Sequence, residues 1–190
     1  EYLVQFAYLG NFYARRVLGV AKPRVALLNI GTEDSKGGEL QKAVYPLLQK
    51  AGDAGYIHFI GNIEANTALL GGADVIVADG YSGNILLKTV EGAAKLLLGE
   101  MKKAFLSSTK SKLGALLVKD SLGDVKKLLD PSEVGGTPFL GISKPVLKAH
   151  GSSDARAIRN AVFRAVEYAQ SGIIADVEAH IDVMKVEKNG

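Results

Sequence analysis

The alternation of short apolar runs with helical patterns predicts an α/β fold with a largely parallel sheet. Two further observations support this fold class. The chain has 190 residues, of which 47% are hydrophobic, so it can bury one sizeable core, and we expect one domain over residues 1–190. Three of the apolar runs also end in polar, glycine-containing loops, as strands do in open α/β sheets.

The predicted elements follow one another along the chain. Each strand is a short apolar run, which is typical of a sheet that is buried on both faces, and each helix has apolar residues at helical spacing. A helix that opens the chain is followed by strands at 25–30, 56–60 and 75–78, with helices at 39–50 and 64–70 between them. A long helix then begins at about residue 85, a β-hairpin pairs residues 139–142 with 146–149, and two helices close the chain.

The composition excludes several classes of function. Without cysteine the chain has no disulfide, no thiolate nucleophile and no cysteine metal site. Its three histidines are widely spaced and have no carboxylates at ligand spacing around them, so we expect no metal site. We also expect no cofactor. A net charge of +3 does not by itself indicate nucleic-acid binding. We find no signal peptide and no apolar run that approaches the roughly 18 residues of a membrane span, and we expect a cytoplasmic protein.

Residues 74–92 combine an apolar strand, a polar turn and a helix, and this pattern predicts an anion site. Asp79 ends the strand, and Gly80 and Gly83 permit a sharp reversal. We expect Ser82 or Asn84 to cap the helix, whose free N–H groups would favour a phosphate or carboxylate, and Lys88 to add charge one turn later. The alternative is a βα turn with routine capping.

Three loops carry the same polar chemistry, at residues 29–37, 61–64 and 79–84. Because ligands bind beyond the carboxyl ends of strands in open α/β sheets, we expect these loops to share one crevice, supplied with amides and with Lys36 and Lys88. A fourth loop at 150–154, beginning with His150, precedes another helix; here the alternative is capping by Ser153.

Residues 101–129 form a basic segment. They contain seven lysines and two aspartates, a local balance of +5. Leucines and valines recur there at near-helical spacing and predict one or two amphipathic helices that protrude from the domain. Such a surface suits an anionic membrane or an acidic protein; the alternative is a solvated helix packed by its leucines. The candidate contact residues are Leu106, Lys110, Lys112, Leu113, Leu117 and Lys119.

Five segments together resemble one family, the phosphate acyltransferases of bacterial phospholipid synthesis (the PlsX family). These segments are LNIGTEDSKG at 28–37, FIGNIEA at 59–65, ADVIVADGYSGNILLKTVEG at 73–92, GGTPFLG at 135–141 and KAHGSSDA at 148–155. The resemblance implies a Rossmann-like α/β/α sandwich related to phosphotransacetylases and isopropylmalate dehydrogenases. Members of the family begin with a further α/β segment that carries an Asp-Ala-Met-Gly-Gly-Asp motif. This chain opens on Glu1 without that motif, so we expect a fragment.

The resemblance also implies an activity: a fatty acyl group passes from acyl carrier protein to inorganic phosphate, and the acyl phosphate serves phosphatidic acid synthesis. It places Lys36 and Asn84 at the reacting centre, where an ammonium and an amide would stabilise the phosphate and the developing oxyanion. Other residues would bind phosphate or position the substrate: Asn29, Gly31, Gly61, Asn62, Asp79, Gly80, Ser82, Gly83, Lys88 and His150.

The expected partners are acyl carrier protein, inorganic phosphate, a second copy of the chain in a homodimer, an anionic membrane surface bound peripherally, and a downstream glycerol-3-phosphate acyltransferase. Three alternatives stay open from the sequence. The first is a phosphotransacetylase-like enzyme that uses acyl-CoA. The second is a metal- and NAD-dependent dehydrogenase, which is disfavoured because clustered aspartates are absent. The third is a non-catalytic fragment for dimerisation and membrane docking.

Overall fold

The computed structural model describes residues 1–128, 135–151 and 153–186. Contacts divide the chain into two compact units. The first unit comprises Glu1–Gly83, Pro138–Val146 and Ala165–Gly190, and the second comprises Asn84–Thr137 and Leu147–Arg164. The single domain that we expect over residues 1–190 stays a prediction.

The described strands form two sheets. They are β1 (Arg24–Asn29), β2 (His58–Glu64), β3 (Val75–Val77), β4 (Gly136–Pro138) and β5 (Leu147–Ala149). The first three are parallel in the order β2-β1-β3, and the last two pair separately. Since helices connect the parallel strands, the predicted α/β class is confirmed. The central strand is buried on both faces, because Val25, Ala26 and Leu27 are all 0% exposed.

Eight described helices surround or follow these strands. They are α1 (Tyr2–Arg16), α2 (Glu39–Asp53), α3 (Ala65–Ala68), α4 (Gly80–Leu106), α5 (Thr109–Leu117), α6 (Lys119–Leu128), α7 (Ala155–Gln170) and α8 (Ile173–Ala179). In the first unit, α1, α2 and α8 cover one face of the sheet, and their side chains pack with Val25 and Leu27. The other face carries a smaller cluster of Ala26, Ile63 and Ala68.

The second strand lies later in the chain than its sequence predicts. We expected residues 56–60, but β2 runs from His58 to Glu64. Its register with β1 shifts between Val25 and Leu27, where Phe59 and Asn62 are the respective partners. Gly61 has a φ of +95°, which glycine adopts without steric cost, so the strand passes through a bulge and continues. Gly61 and Asn62 therefore belong to the strand and not to a loop after it.

Two further boundaries differ from the prediction. Helix α4 begins at Gly80, five residues before the predicted start, because Gly80 and Gly83 adopt helical backbone angles instead of forming a reversal. The predicted hairpin at 139–142 and 146–149 is displaced to β4 and β5, and a hydrogen bond from Phe139 N to Val146 O (2.9 Å) continues the pairing.

In the second unit, the basic segment forms the end of α4 together with α5 and α6, as the spacing of its leucines predicts. Its last residue, 129, lies outside the described residues. Ser108 begins α5 by accepting a hydrogen bond from Ser111 N at 3.1 Å. Among the helices that the structure describes, none has the combined length and apolar character needed to span a bilayer.

Candidate active site

The carboxyl ends of the three parallel strands meet at one edge of the sheet in the first unit. Asn29, the last residue of β1, lies opposite Glu64 at the end of β2, and Leu27 pairs with Val77 at the end of β3. The loop that follows β1 and the residue that follows β3 therefore start from the same edge, as the parallel arrangement predicts.

Two asparagine side chains hold the loop after β1. Asn62 Nδ2 donates to the main-chain oxygen of Glu33 at 2.7 Å, and Asn29 Nδ2 donates to that of Lys36 at 3.1 Å. Within the loop, Lys36 N also donates to Glu33 O at 3.2 Å. We call residues 29–37 with Asn62 the clamped loop. Its backbone is fixed at both Glu33 and Lys36, while the side chain of Lys36 is 49% exposed.

Two glycines of the clamped loop are required by its geometry. A Cβ on buried Gly31 would lie 2.9 Å from Lys36 Cγ and equally close to a carboxylate oxygen of Glu33. Gly37 has a φ of +89°, and a Cβ there would lie 2.6 Å from Asn29 Oδ1. Larger residues would push the loop away from the asparagines that hold it.

The Lys36 ammonium is available for a ligand. Its Nζ lies 4.0 Å from the carboxylate of Glu33, at the outer limit of an ion pair, and both side chains are about half exposed or more. An exposed pair at this distance is weak, so an incoming phosphate could replace the carboxylate. The arrangement supplies one cation on a backbone that is already ordered.

The first N–H groups of α4 already donate hydrogen bonds to a side chain of the protein. Asp79 Oδ1 accepts hydrogen bonds from Tyr81 N and Ser82 N, both at 2.9 Å. The expectation that Ser82 or Asn84 caps this helix is therefore wrong. The bonds from Ser82 and Tyr81 favour the ionised carboxylate and lower the pKa of Asp79. The Asp79 carboxylate therefore accepts the hydrogen bonds that the predicted site would offer to an external anion.

Three predicted site residues belong to the second unit: Asn84, Lys88 and His150. Lys88 lies about two turns inside α4, not one, because the helix begins earlier. Its Nζ forms an ion pair with Glu91 at 2.9 Å, and the hydrogen bond from Lys88 lowers the pKa of Glu91. That Asn84 and Lys36 act on one substrate stays a prediction.

The loop at 150–154 also starts a helix with an aspartate cap. Asp154 Oδ1 accepts a hydrogen bond from Ala157 N at 2.8 Å, so the alternative of a Ser153 cap is wrong. Aspartate is a preferred N-cap residue, and both helix starts could have been read from an Asp placed directly before the helix.

The basic segment presents exposed apolar side chains. Leu106, Leu113 and Leu117 are 54%, 61% and 81% exposed. Among the described residues, Lys110, Lys112 and Lys119 form no ion pair, whereas Lys103 and Lys127 pair within their own helices. An open, mainly apolar cavity of about 690 Å³ lies along this segment with Lys102 and Lys119 in its lining, which the sequence did not reveal. The described part of the chain holds no cluster of three metal-ligating side chains.

The chain is similar to known proteins over most of its length. A family model described as "Fatty acid synthesis protein" matches residues 1–176. The chain is similar to a protein of Brevibacillus brevis named phosphate acyltransferase, with 49% identity over 90% of the chain and 50% of that protein. It is also similar to proteins of the same name from Lysinibacillus sphaericus (47% identity, 96% of the chain, 55% of that protein) and Clostridioides difficile (45%, 94% and 52%). The chain thus spans about half the length of these relatives.

Proposed function

The chain belongs to the fatty acid synthesis protein family, and from this premise we propose that the protein containing it transfers a fatty acyl group to inorganic phosphate. The donor is an acyl thioester of acyl carrier protein, and the acyl phosphate serves phosphatidic acid synthesis through a glycerol-3-phosphate acyltransferase. The observation that carries the proposal is the clamped loop, which presents the Lys36 ammonium at the carboxyl edge of the parallel sheet.

The reaction needs positioned charge and no protein nucleophile. A phosphate oxygen forms a bond to the thioester carbonyl carbon, and the tetrahedral oxyanion then expels the carrier thiolate, which takes up the proton that phosphate gives up. Lys36 neutralises the phosphate, and the Asn84 amide donates to the developing oxyanion. Asn29 and Asn62 hold the loop, and Asp79 caps α4. Lys88 and His150 position the substrate.

The second unit supports the partners that we propose for this reaction. The lysines and exposed leucines of α5 and its neighbours suit an anionic membrane surface, bound peripherally from the cytoplasm, and the same lysines steer the acidic acyl carrier protein. The protein acts as a homodimer.

The test uses the protein expressed from its complete gene. Palmitoyl thioesters of acyl carrier protein and of coenzyme A are each incubated with and without phosphate, and acyl phosphate is trapped with hydroxylamine. We expect a phosphate-dependent product from the carrier thioester. Product from the coenzyme A thioester alone would support the phosphotransacetylase-like alternative, and product from neither donor would favour the non-catalytic one.

A further inference from the structure

The amino-terminal edge of the parallel sheet carries a cavity of about 320 Å³. Residues from α1, from the segment before β1 and from the turn between α2 and β2 line it, and all of them belong to the first unit. Since each residue of a strand adds about 3.3 Å, the length of β1 separates this cavity from the carboxyl edge by roughly 20 Å. The cavity is therefore distinct from the clamped loop.

The polar lining of this cavity is basic. Arg15, Lys22 and His58 contribute to it, and no carboxylate does so among the residues that the structure describes. Arg15 and Lys22 form no hydrogen bond or ion pair with described residues. Two nearby carboxylates interact electrostatically with this lining, Asp74 with His58 and Asp176 with Arg15. Arg24 already holds the first through its main chain and guanidinium, and the guanidinium of Arg16 holds the second. Arg15 and Lys22 thus have no ion-pair partner among the described residues of the cavity lining.

Two buried polar atoms of the same lining lack partners. Asn11 is only 3% exposed, yet its Nδ2 makes no hydrogen bond in the described structure. The Nδ1 atom of His58 is also buried and also lacks a hydrogen-bond partner among the described residues. Buried polar atoms are almost always paired with protein, water or an ion. The amide donor of Asn11, beside the cations of Arg15 and Lys22, offers the groups that bind an anion.

We propose that this cavity binds a small phosphate monoester, with its phosphoryl group on Arg15, Lys22 and His58. A cavity of this volume falls within the range of small-molecule sites and is larger than a phosphate ion needs. Tyr56, which is 46% exposed, supplies an aromatic surface for the organic part. The proposal does not depend on the proposed acyl transfer.

The test is an NMR titration of the complete protein, read at the imidazole signals of His58 and His180. Phenyl phosphate and inorganic phosphate are added separately, with chloride at matched ionic strength as the control. We expect phenyl phosphate to shift the His58 signals saturably and to bind more tightly than inorganic phosphate. His180, whose ring packs against Phe12 in the first unit, should keep its signal and so report an intact fold.

Variants localise the effect. Arg15→Gln and Lys22→Gln should each weaken phenyl phosphate binding about tenfold, as loss of a charge-assisted hydrogen bond predicts. Lys36→Ala, at the other edge of the sheet, should leave it unchanged. An equal response to chloride, undiminished binding in the Arg15 and Lys22 variants, or loss of binding in Lys36→Ala would each overturn the proposal. Binding of inorganic phosphate without phenyl phosphate would overturn the monoester assignment.

Discussion

Asn62 and Glu33 are 29 residues apart in the chain, and a hydrogen bond of 2.7 Å joins the side-chain amide of one to the main-chain oxygen of the other. Asn62 is 8% exposed, and its Oδ1 has no partner among the described residues, so the bond to Glu33 is the contact that orients the amide. Through it, the second strand of the sheet holds the loop that carries Lys36.

Replacing Asn62 should therefore disturb the site through the loop. We expect Asn62→Asp, which keeps the shape but places a carboxylate against the Glu33 carbonyl, to lower kcat/KM for phosphate about tenfold. The measurement is initial rate against phosphate concentration. Gln49→Ala on α2 is the control, because among the described residues that amide bonds to Asp53 alone. An unchanged kcat/KM in Asn62→Asp would show that the clamp does not serve the reaction.

Lys36 and Asn84 should matter for turnover and not for folding. Lys36→Ala and Asn84→Ala should each lower turnover by on the order of 10²-fold, as loss of a donor to the phosphate or oxyanion predicts. Steady-state rates at saturating phosphate are compared with those of Lys50→Ala, a matched exposed lysine near the opposite end of α2. Near-normal turnover in both variants would remove these residues from the reaction.

The Asp79 cap predicts a pH-dependent contribution to stability. Asp79→Ala should lower the free energy of unfolding by about 1 kcal/mol at pH 7, and Asp79→Ser should restore most of it, since serine also caps helices well. Because folding lowers the pKa of Asp79, the contribution is complete above the ordinary value of 3.8 and is lost as the pH falls through the folded value. Urea unfolding at pH 7 and pH 3 should thus show a smaller difference at pH 3. A difference that grows at pH 3 would contradict this cap.

The contact of Asp74 with Arg24, at the start of the sheet, should make a second acid-sensitive contribution to the stability of the fold. Its hydrogen bonds to Arg24 lower its pKa from 3.8 to about 2. The depressed pKa means that the stabilisation is complete above about pH 4 and disappears as the pH falls towards 2. Asp74→Asn should lower Tm at pH 5. The difference in Tm between the variant and the wild-type protein should become smaller as the pH falls below 4. Asp120→Asn on α6 is the control, and a gap independent of pH would refute the assignment.

The exposed leucines of the basic segment predict membrane binding. Replacing Leu106, Leu113 and Leu117 with glutamine should release the protein from anionic vesicles in a flotation assay, because each side chain loses shallow apolar insertion while the lysines alone bind weakly. Activity on the soluble carrier thioester should persist.

A matched triple variant controls for the loss of exposed apolar area. Leu18, Leu69 and Leu70 in the first unit are 53%, 56% and 87% exposed, close to the values of the three leucines tested. Their replacement with glutamine should leave flotation unchanged. Equal flotation of all three proteins would exclude the membrane role, and loss of activity with retained flotation would reassign the segment to recognition of the carrier.

The local pattern of the sequence was sufficient for the order of strands and helices and for the loop that carries Lys36. Apolar runs and glycine-containing turns are properties of neighbouring residues, so β1, α2 and β3 were predicted within a few residues. The Asp79 cap is equally local and could have been predicted from an aspartate placed directly before Gly80.

Only the tertiary structure decided where Asn62 and the basic cavity lie. Asn62 enters β2 because Gly61 forms a bulge against β1, and a bulge exists only relative to a partner strand. Arg15, Lys22 and His58 come from three separate segments, and sheet formation brings them to one edge. Hydrogen bonds and charges between residues distant in the chain depend on strand register, which no local pattern of residues specifies.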